Sequence, residues 1–253
     1  MIGFFNDILQ KIGITVTPAS ALPAAKPIVG NQILRAELQE AFAQSRGGAA
    51  CAVTLMGRPG TGKTMAVREL ARNNACTVIT VQVFQASHVW ALPLLLRVLC
   101  LIFGAKIVVY DNFDYLKSRH EVNANYSRLV YGFSANSLVP GVLTVFVSNA
   151  PAVYEFSRSV RTRLLARLQT AAVLAEPEVL ELLQALTAAE LWSVPTRARL
   201  SNLARQLTNA SPAEIVALVR EAERDAMTRS NGVLLPDLIC DLALAHRFRP
   251  AGL

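Results

Sequence analysis

Paired cysteines, a run of like charge and an unbroken apolar span are all missing from this sequence, and each absence removes a class of protein. The four cysteines, Cys51, Cys76, Cys100 and Cys240, sit among apolar neighbours with no CxxC and no Cys/His ligand spacing. They read as reduced core thiols of a cytosolic protein, not as a disulfide framework or a zinc site. The three histidines, His88, His120 and His246, are too far apart in sequence to suggest such a site. The most apolar stretch, ALPLLLRVLCLIFGAKIVVY at 91–110, is broken by Pro93, Arg97, Gly104 and Lys106. No membrane span is expected from so interrupted a run; a buried helix, a turn at Gly104 and a buried strand describe it better. MIGFFNDILQKIG carries an acid at Asp7 and lacks a long apolar core, so no secretory signal is evident and a cytoplasmic location is expected.

Charge is also scarce, at 17% of residues against 53% apolar, which excludes disorder for most of the 253 residues and supplies ample core. What charge there is leans positive, 25 Lys plus Arg against 18 Asp plus Glu, or +7. That favours anionic company: nucleotide, nucleic acid or acidic protein.

Residues 2–12 place Ile2, Phe5, Ile8, Leu9 and Ile12 at three- and four-residue steps, which predicts a short amphipathic helix. TPASALPAAKP (17–27) reads as a linker. NQILRAELQEAFAQ (31–44) reads as a helix, CAVTLM (51–56) as a buried strand, and TMAVRELARNN (64–74) as the helix after a glycine-rich loop. CTVITVQVF (76–84), KIVVYD (106–111) and GVLTVFVSN (141–149) are further strands, separated by helices at 91–103 and 125–133. Strands alternating with helices predict a mostly parallel sheet covered on both faces. Beyond about residue 155 only helices are expected, at 176–186, 197–207, 211–232 and 235–246. The third of these carries Ser211 as N-cap, Pro212 at N1 and Glu214 at the capping-box position. The expected division is 1–27, an N-terminal helix and linker; 28–170, an α/β core; and 171–253, an all-α lid.

GRPGTGKT (57–64) fits G-x-x-x-x-G-K-[ST] between a strand and a helix, the context in which such a loop cradles phosphates. Gly57, Gly60 and Gly62 let the backbone curl its N–H groups inward, and the following helix N-terminus adds partial positive charge. Lys63 is expected on the β- and γ-phosphates and Thr64 on Mg²⁺. The candidate ATP-binding set is Gly57, Arg58, Pro59, Gly60, Thr61, Gly62, Lys63, Thr64 and Met65.

Three strands end on a polar side chain or on that loop. Asp111 closes KIVVYD and is the expected second contributor to Mg²⁺, with a turn-forming Asp-Asn as the plain alternative. Asn112 stands where a carboxylate would take a proton from the attacking water. An amide cannot take that proton, but its carbonyl can orient water. Asn149, ending VFVSN, reaches the same sheet edge and can share that water; otherwise it makes an Asx-turn before Pro151. Firm ATP binding and slow hydrolysis are the expectation.

FSRSVRTRLLARLQ (156–169) carries Arg158, Arg161, Arg163 and Arg167 and no acid. Val160, Leu164, Leu165 and Leu168 mark its buried stripe. The arginines form a solvated face on the plain reading; otherwise they serve a neighbouring subunit's γ-phosphate or nucleic-acid phosphates, and the residues do not separate those two.

Taken in order, these motifs resemble the AAA+ ATPases, AAA clade. GRPGTGKT resembles that family's GPPGTGKT, YDNFD stands where it has a DEID-like motif, and SNAP resembles its TN-x-P. RSVRTRL resembles its arginine-finger segment, and LARQLTNASPAEIVALVREAERDA its lid. VGNQILRAELQEAF resembles the helix ahead of its core. The resemblance spans roughly 28–245 and implies a P-loop NTPase sheet flanked by helices with a C-terminal helical lid. It further implies a Mg²⁺-dependent ATPase that forms a homo-oligomer, a ring or helix and most commonly a hexamer, and remodels a macromolecule, a protein more often than DNA. Arg161 and Arg163 become the finger candidates. Asn112 departs from the family's catalytic Glu, the segment after VQVF is short, and Trp90 is the nearest pore-loop aromatic, with a core Trp as the alternative. Two other functions fit the residues: a DNA-associated accessory factor of replication or transposition, supported by a pI near 9.6, and an ATP-gated scaffold with little turnover.

Overall fold

Runs such as LTVFVS and CAVTL, apolar or β-branched at almost every position, suit strands covered on both faces, and that is where they lie. The structure, a computed structural model, describes residues 2–22, 29–82, 92–113, 138–149, 164–170, 174–186, 197–229 and 239. Their elements are α1 (Ile2–Lys11), β1 (Ile14–Thr17), α2 (Gln32–Ser45), β2 (Cys51–Met56), α3 (Lys63–Asn73), β3 (Val78–Gln82) and α4 (Leu92–Phe103). They continue with β4 (Ile107–Asp111), β5 (Leu143–Ser148), β6 (Leu164–Gln169), α5 (Glu176–Leu186), α6 (Arg197–Gln206) and α7 (Pro212–Arg229). The helices read at 125–133 and 235–246, apart from Ile239, lie outside the described residues, as does Trp90.

By contacts the chain forms two units, one drawn from Met1–Pro23, Ile33–Arg58 and Lys63–Thr170, the other from Ala24–Gln32, Pro59–Gly62 and Ala171–Leu253. In the first, the sheet order is β1-β3-β4-β5-β2-β6, parallel throughout except for β1. Strand alternation sorts its side chains onto two faces. Ala52, Ile79, Val81, Val108, Tyr110 and Phe146 pack with Leu9 of α1 and with Leu92, Leu96, Leu99 and Cys100 of α4. Cys51, Val53, Leu55, Val78, Ile107, Val109, Leu143, Val145 and Val147 pack with α2 and α3. Cys51, Cys76 and Cys100 are buried free thiols, and desolvation pushes each upward in pKa, Cys100 to about 11.

Two elements correct the sequence reading. Helix only was expected after residue 155, yet Leu164–Gln169 is a strand parallel to β2. Leu, Ala, Arg and Gln favour helix locally; the unfilled edge of β2, whose backbone groups need partners, overrides that preference. Leu168 is buried and Leu165 is 40% exposed, an in-out alternation too short to distinguish from a helical face in sequence. The second is β1, absent from the reading, which pairs antiparallel with β3 from Ile14 opposite Val81 to Thr17 opposite Val78.

Because β1 is an edge strand, its outer backbone groups need cover. Asn6 of α1 provides it: its Nδ2 donates to Val16 O and its Oδ1 accepts from Val16 N, both at 2.9 Å. Asn6→Ala removes both partners from the backbone of a buried residue. It is expected to lower stability by about 1–3 kcal/mol, read as a reduced Tm.

The second unit has its own core, Val29 and Leu174 with Val179, Leu182 and Leu183 of α5, Leu203 of α6 and Ile215, Leu218 and Val219 of α7. The capping box of α7 forms as read: Ser211 N donates to Glu214 Oε2 at 2.6 Å, and Glu214 N donates to Ser211 Oγ at 3.3 Å. Within this unit a Cβ at Gly60, φ +80°, would stand 2.7 Å from Ala213 Cβ, so a side chain there meets both strain and a clash.

Candidate functional site

A parallel sheet delivers every strand's C-terminal end to one edge, and β2, β4 and β5 are neighbours in this one. β2 runs into Gly57, whose N–H donates to Ser148 O at the end of β5, 3.2 Å away. β4 ends on Asp111, and Phe113 N donates to Val147 O at 2.8 Å, which ties the turn after β4 to β5. Aromatic packing fixes that turn from below. Tyr110 stacks on Phe146 with ring centres 5.2 Å apart, and Phe113, 2% exposed, meets the same ring at 4.8 Å. The turn residue between is Asn112, at φ +55°, a conformation Asn tolerates better than most side chains.

The two asparagines, read from the sequence as sharing a water, bond to each other: Asn149 Nδ2 donates to Asn112 Oδ1 at 3.0 Å. Asp111 has a donor on each carboxylate oxygen, Asn112 N on Oδ1 at 3.0 Å and Gln82 Nε2 on Oδ2 at 3.3 Å. Gln82 was not singled out in the sequence, although the signal was there. VITVQ ends a buried strand on a polar residue, just as KIVVYD and VFVSN do.

Lys63 opens α3 and is 5% exposed. Its ammonium donates to Gly57 O and Arg58 O, each at 2.8 Å, so the loop folds around a buried cation. Gly57, Gly60 and Gly62 all have positive φ, +152°, +80° and +88°. A Cβ on Gly62 would meet nothing within 4 Å, leaving the backbone there open to an incoming group. Thr61 is buried, Gly62 and Thr64 are half-buried, and Arg58, Pro59, Gly60 and Met65 are exposed. Arg161 and Arg163 lie outside the described residues.

A curled glycine loop around a buried lysine suits a polyphosphate, and the oxygen donors of Thr64 and Asp111 suit a hard divalent cation. The residues present therefore fit ATP and Mg²⁺. Loop, strand order and helices together define a P-loop α/β fold.

No family model matches the sequence, and no curated protein does. Solved structures do. A structure from work on the structural basis of katanin self-assembly superposes with a TM-score of 0.72 at 18% identity, over 96% of this chain and 90% of that one. The FIGL-1 AAA domain gives 0.68 at 20% identity, over 97% and 90%, and its complex with ADP gives 0.66 at 17%, over 100% and 92%. The chain shares its fold with these structures, the FIGL-1 AAA domain among them. Among the described residues no helix is long and apolar enough to cross a membrane.

Proposed function

We propose that this chain binds ATP with Mg²⁺ and assembles into a homo-oligomer that remodels or assembles a protein partner, with slow or assembly-dependent hydrolysis. It is organised as the N-terminal segment 1–27, the nucleotide-binding core 28–170 and the helical lid 171–253. The observation that carries the reading is the meeting of Lys63, Asp111 and the Asn112–Asn149 pair at one sheet edge. In this assignment Lys63 and the loop amides hold the phosphates, Thr64 and Asp111 hold the metal, and the two asparagines orient water. Bound Mg²⁺ would neutralise charge on the phosphate oxygens. Arg161 and Arg163 remain the candidate cations for a neighbouring subunit's site.

Support for assembly comes from the AAA-domain fold shared with a self-assembling protein, katanin, and for nucleotide from the ADP held by the FIGL-1 domain. The outer face of α4 adds to it, since Leu94, Leu101 and Ile102 are 69%, 85% and 66% exposed, a face suited to burial in an interface. The Asn112–Asn149 bond favours one second reading, a scaffold that assembles on ATP and scarcely turns it over, because Asn112 offers an amide where a base is needed.

Sedimentation and negative-stain images with and without ATP test the proposal. ATP-dependent rings or filaments are expected, and a monomer under both conditions would sink it. Phosphate release by the assembled form separates remodeller from scaffold. A salt-sensitive DNA gel shift would move the reading to a DNA-associated factor.

A further inference from the structure

Asp111 is the sheet-edge carboxylate assigned to the metal, and its orientation is set from two sides. The backbone of the next residue holds Oδ1, and the side chain of Gln82 holds Oδ2. Gln82 is placed by register, since β3 and β4 pair so that Gln82 stands directly beside Asp111. Its main chain is pinned as well: Gln82 N donates to Gly13 O at 2.7 Å, at the turn where α1 passes into β1. That turn is tight, with Gly13 at φ +76° and its N–H donating to Gln10 O at 3.0 Å. The turn between α1 and β1 is thus bonded to the residue that holds Asp111.

We infer that Gln82 is a positioning residue for the metal carboxylate, fixing Asp111 by a donor on the oxygen that the backbone does not hold. The inference rests on the nucleotide reading above. A carboxylate with a donor on each oxygen is pre-oriented, whereas one held at Oδ1 alone can rotate about its terminal torsion. Partners that orient a ligand from behind typically change metal affinity by about ten- to a hundredfold when removed. Gln82 touches neither the phosphate loop nor Lys63 in any of these contacts, so its loss acts on the metal and not on phosphate binding.

The test is a titration of Mg²⁺ into the full chain with a fluorescent, non-hydrolysable ATP analogue, alongside the same binding measured in EDTA. Gln82→Met keeps the length of the side chain and removes the donor. The Mg²⁺ concentration for half-maximal enhancement of binding is expected to rise about tenfold, with EDTA affinity unchanged within about twofold. Gln82→Leu replaces it if Gln82→Met melts early, and the same split is expected. A variant that follows the wild-type Mg²⁺ curve overturns the inference, as does an equal loss with and without metal. A wild-type chain that binds no nucleotide overturns the loop reading, and this inference with it; a normal wild type beside an unchanged variant overturns this inference alone.

Discussion

Replacing Lys63 with alanine is expected to weaken ATP binding by about a hundredfold or more. The ammonium belongs to a residue 5% exposed and the loop curls around it, with Gly57 O and Arg58 O each 2.8 Å away. A triphosphate brings charged oxygens to a cation already stripped of most of its water, and charge-assisted hydrogen bonds of this kind are worth about 1.5–3 kcal/mol each. Two such bonds to the β- and γ-phosphates account for the factor. The variant also leaves two loop carbonyls without their donor, which costs about 1 kcal/mol or more of stability. The Tm must therefore be measured beside the binding curve, and Lys63→Arg keeps the charge while changing its shape. An alanine variant that stays folded and binds a fluorescent ATP analogue within about threefold of wild type would remove the basis of the nucleotide assignment.

How far the sequence foretells this site depends on how local the cause is. The loop, its glycines and the helix after it were legible because their chemistry is contiguous: curl, lysine and helix N-terminus occur within eight residues. The strands ending in Asp111 and Asn149 were legible because a buried apolar run that stops on a polar residue marks the edge where a sheet meets solvent or ligand. Parallel topology put Asn112 and Asn149 at one edge; their direct bond depends on β4 and β5 being neighbours, which no local pattern reveals. β6 was missed because its cause is remote: LLARLQ prefers helix on its own, and the edge of β2 that recruits it lies over a hundred residues earlier. β1 was missed because four residues, ITVT, are too few to establish a period and stand directly before a proline-rich stretch. Gln82 went unread for a third reason. A glutamine at a strand end means nothing until register sets a carboxylate beside it.

Asn112→Glu is expected to raise phosphate release about ten- to a hundredfold. A carboxylate at this position can accept the proton that an amide cannot, and general-base participation is worth about 10²–10⁴ in rate when geometry is right. The geometry is only partly ready for it, which sets the lower expectation. Asn149 Nδ2 already donates to Asn112 Oδ1 at 3.0 Å, and the same donor would hold a Glu oxygen with added charge assistance. Against that stands the backbone, since φ +55° is tolerated by Asn and costs a Glu about 1 kcal/mol. The new negative charge also adjoins Asp111, so the gain should appear only with Mg²⁺ present. Asn112→Asp provides the comparison: it fits the left-handed turn better but has a shorter reach, and a smaller rise is expected. Both variants need nucleotide binding and Tm recorded with the rate, in the assembled form. If Asn112→Glu folds, binds ATP as wild type does and releases phosphate no faster, the amide is not what holds turnover down.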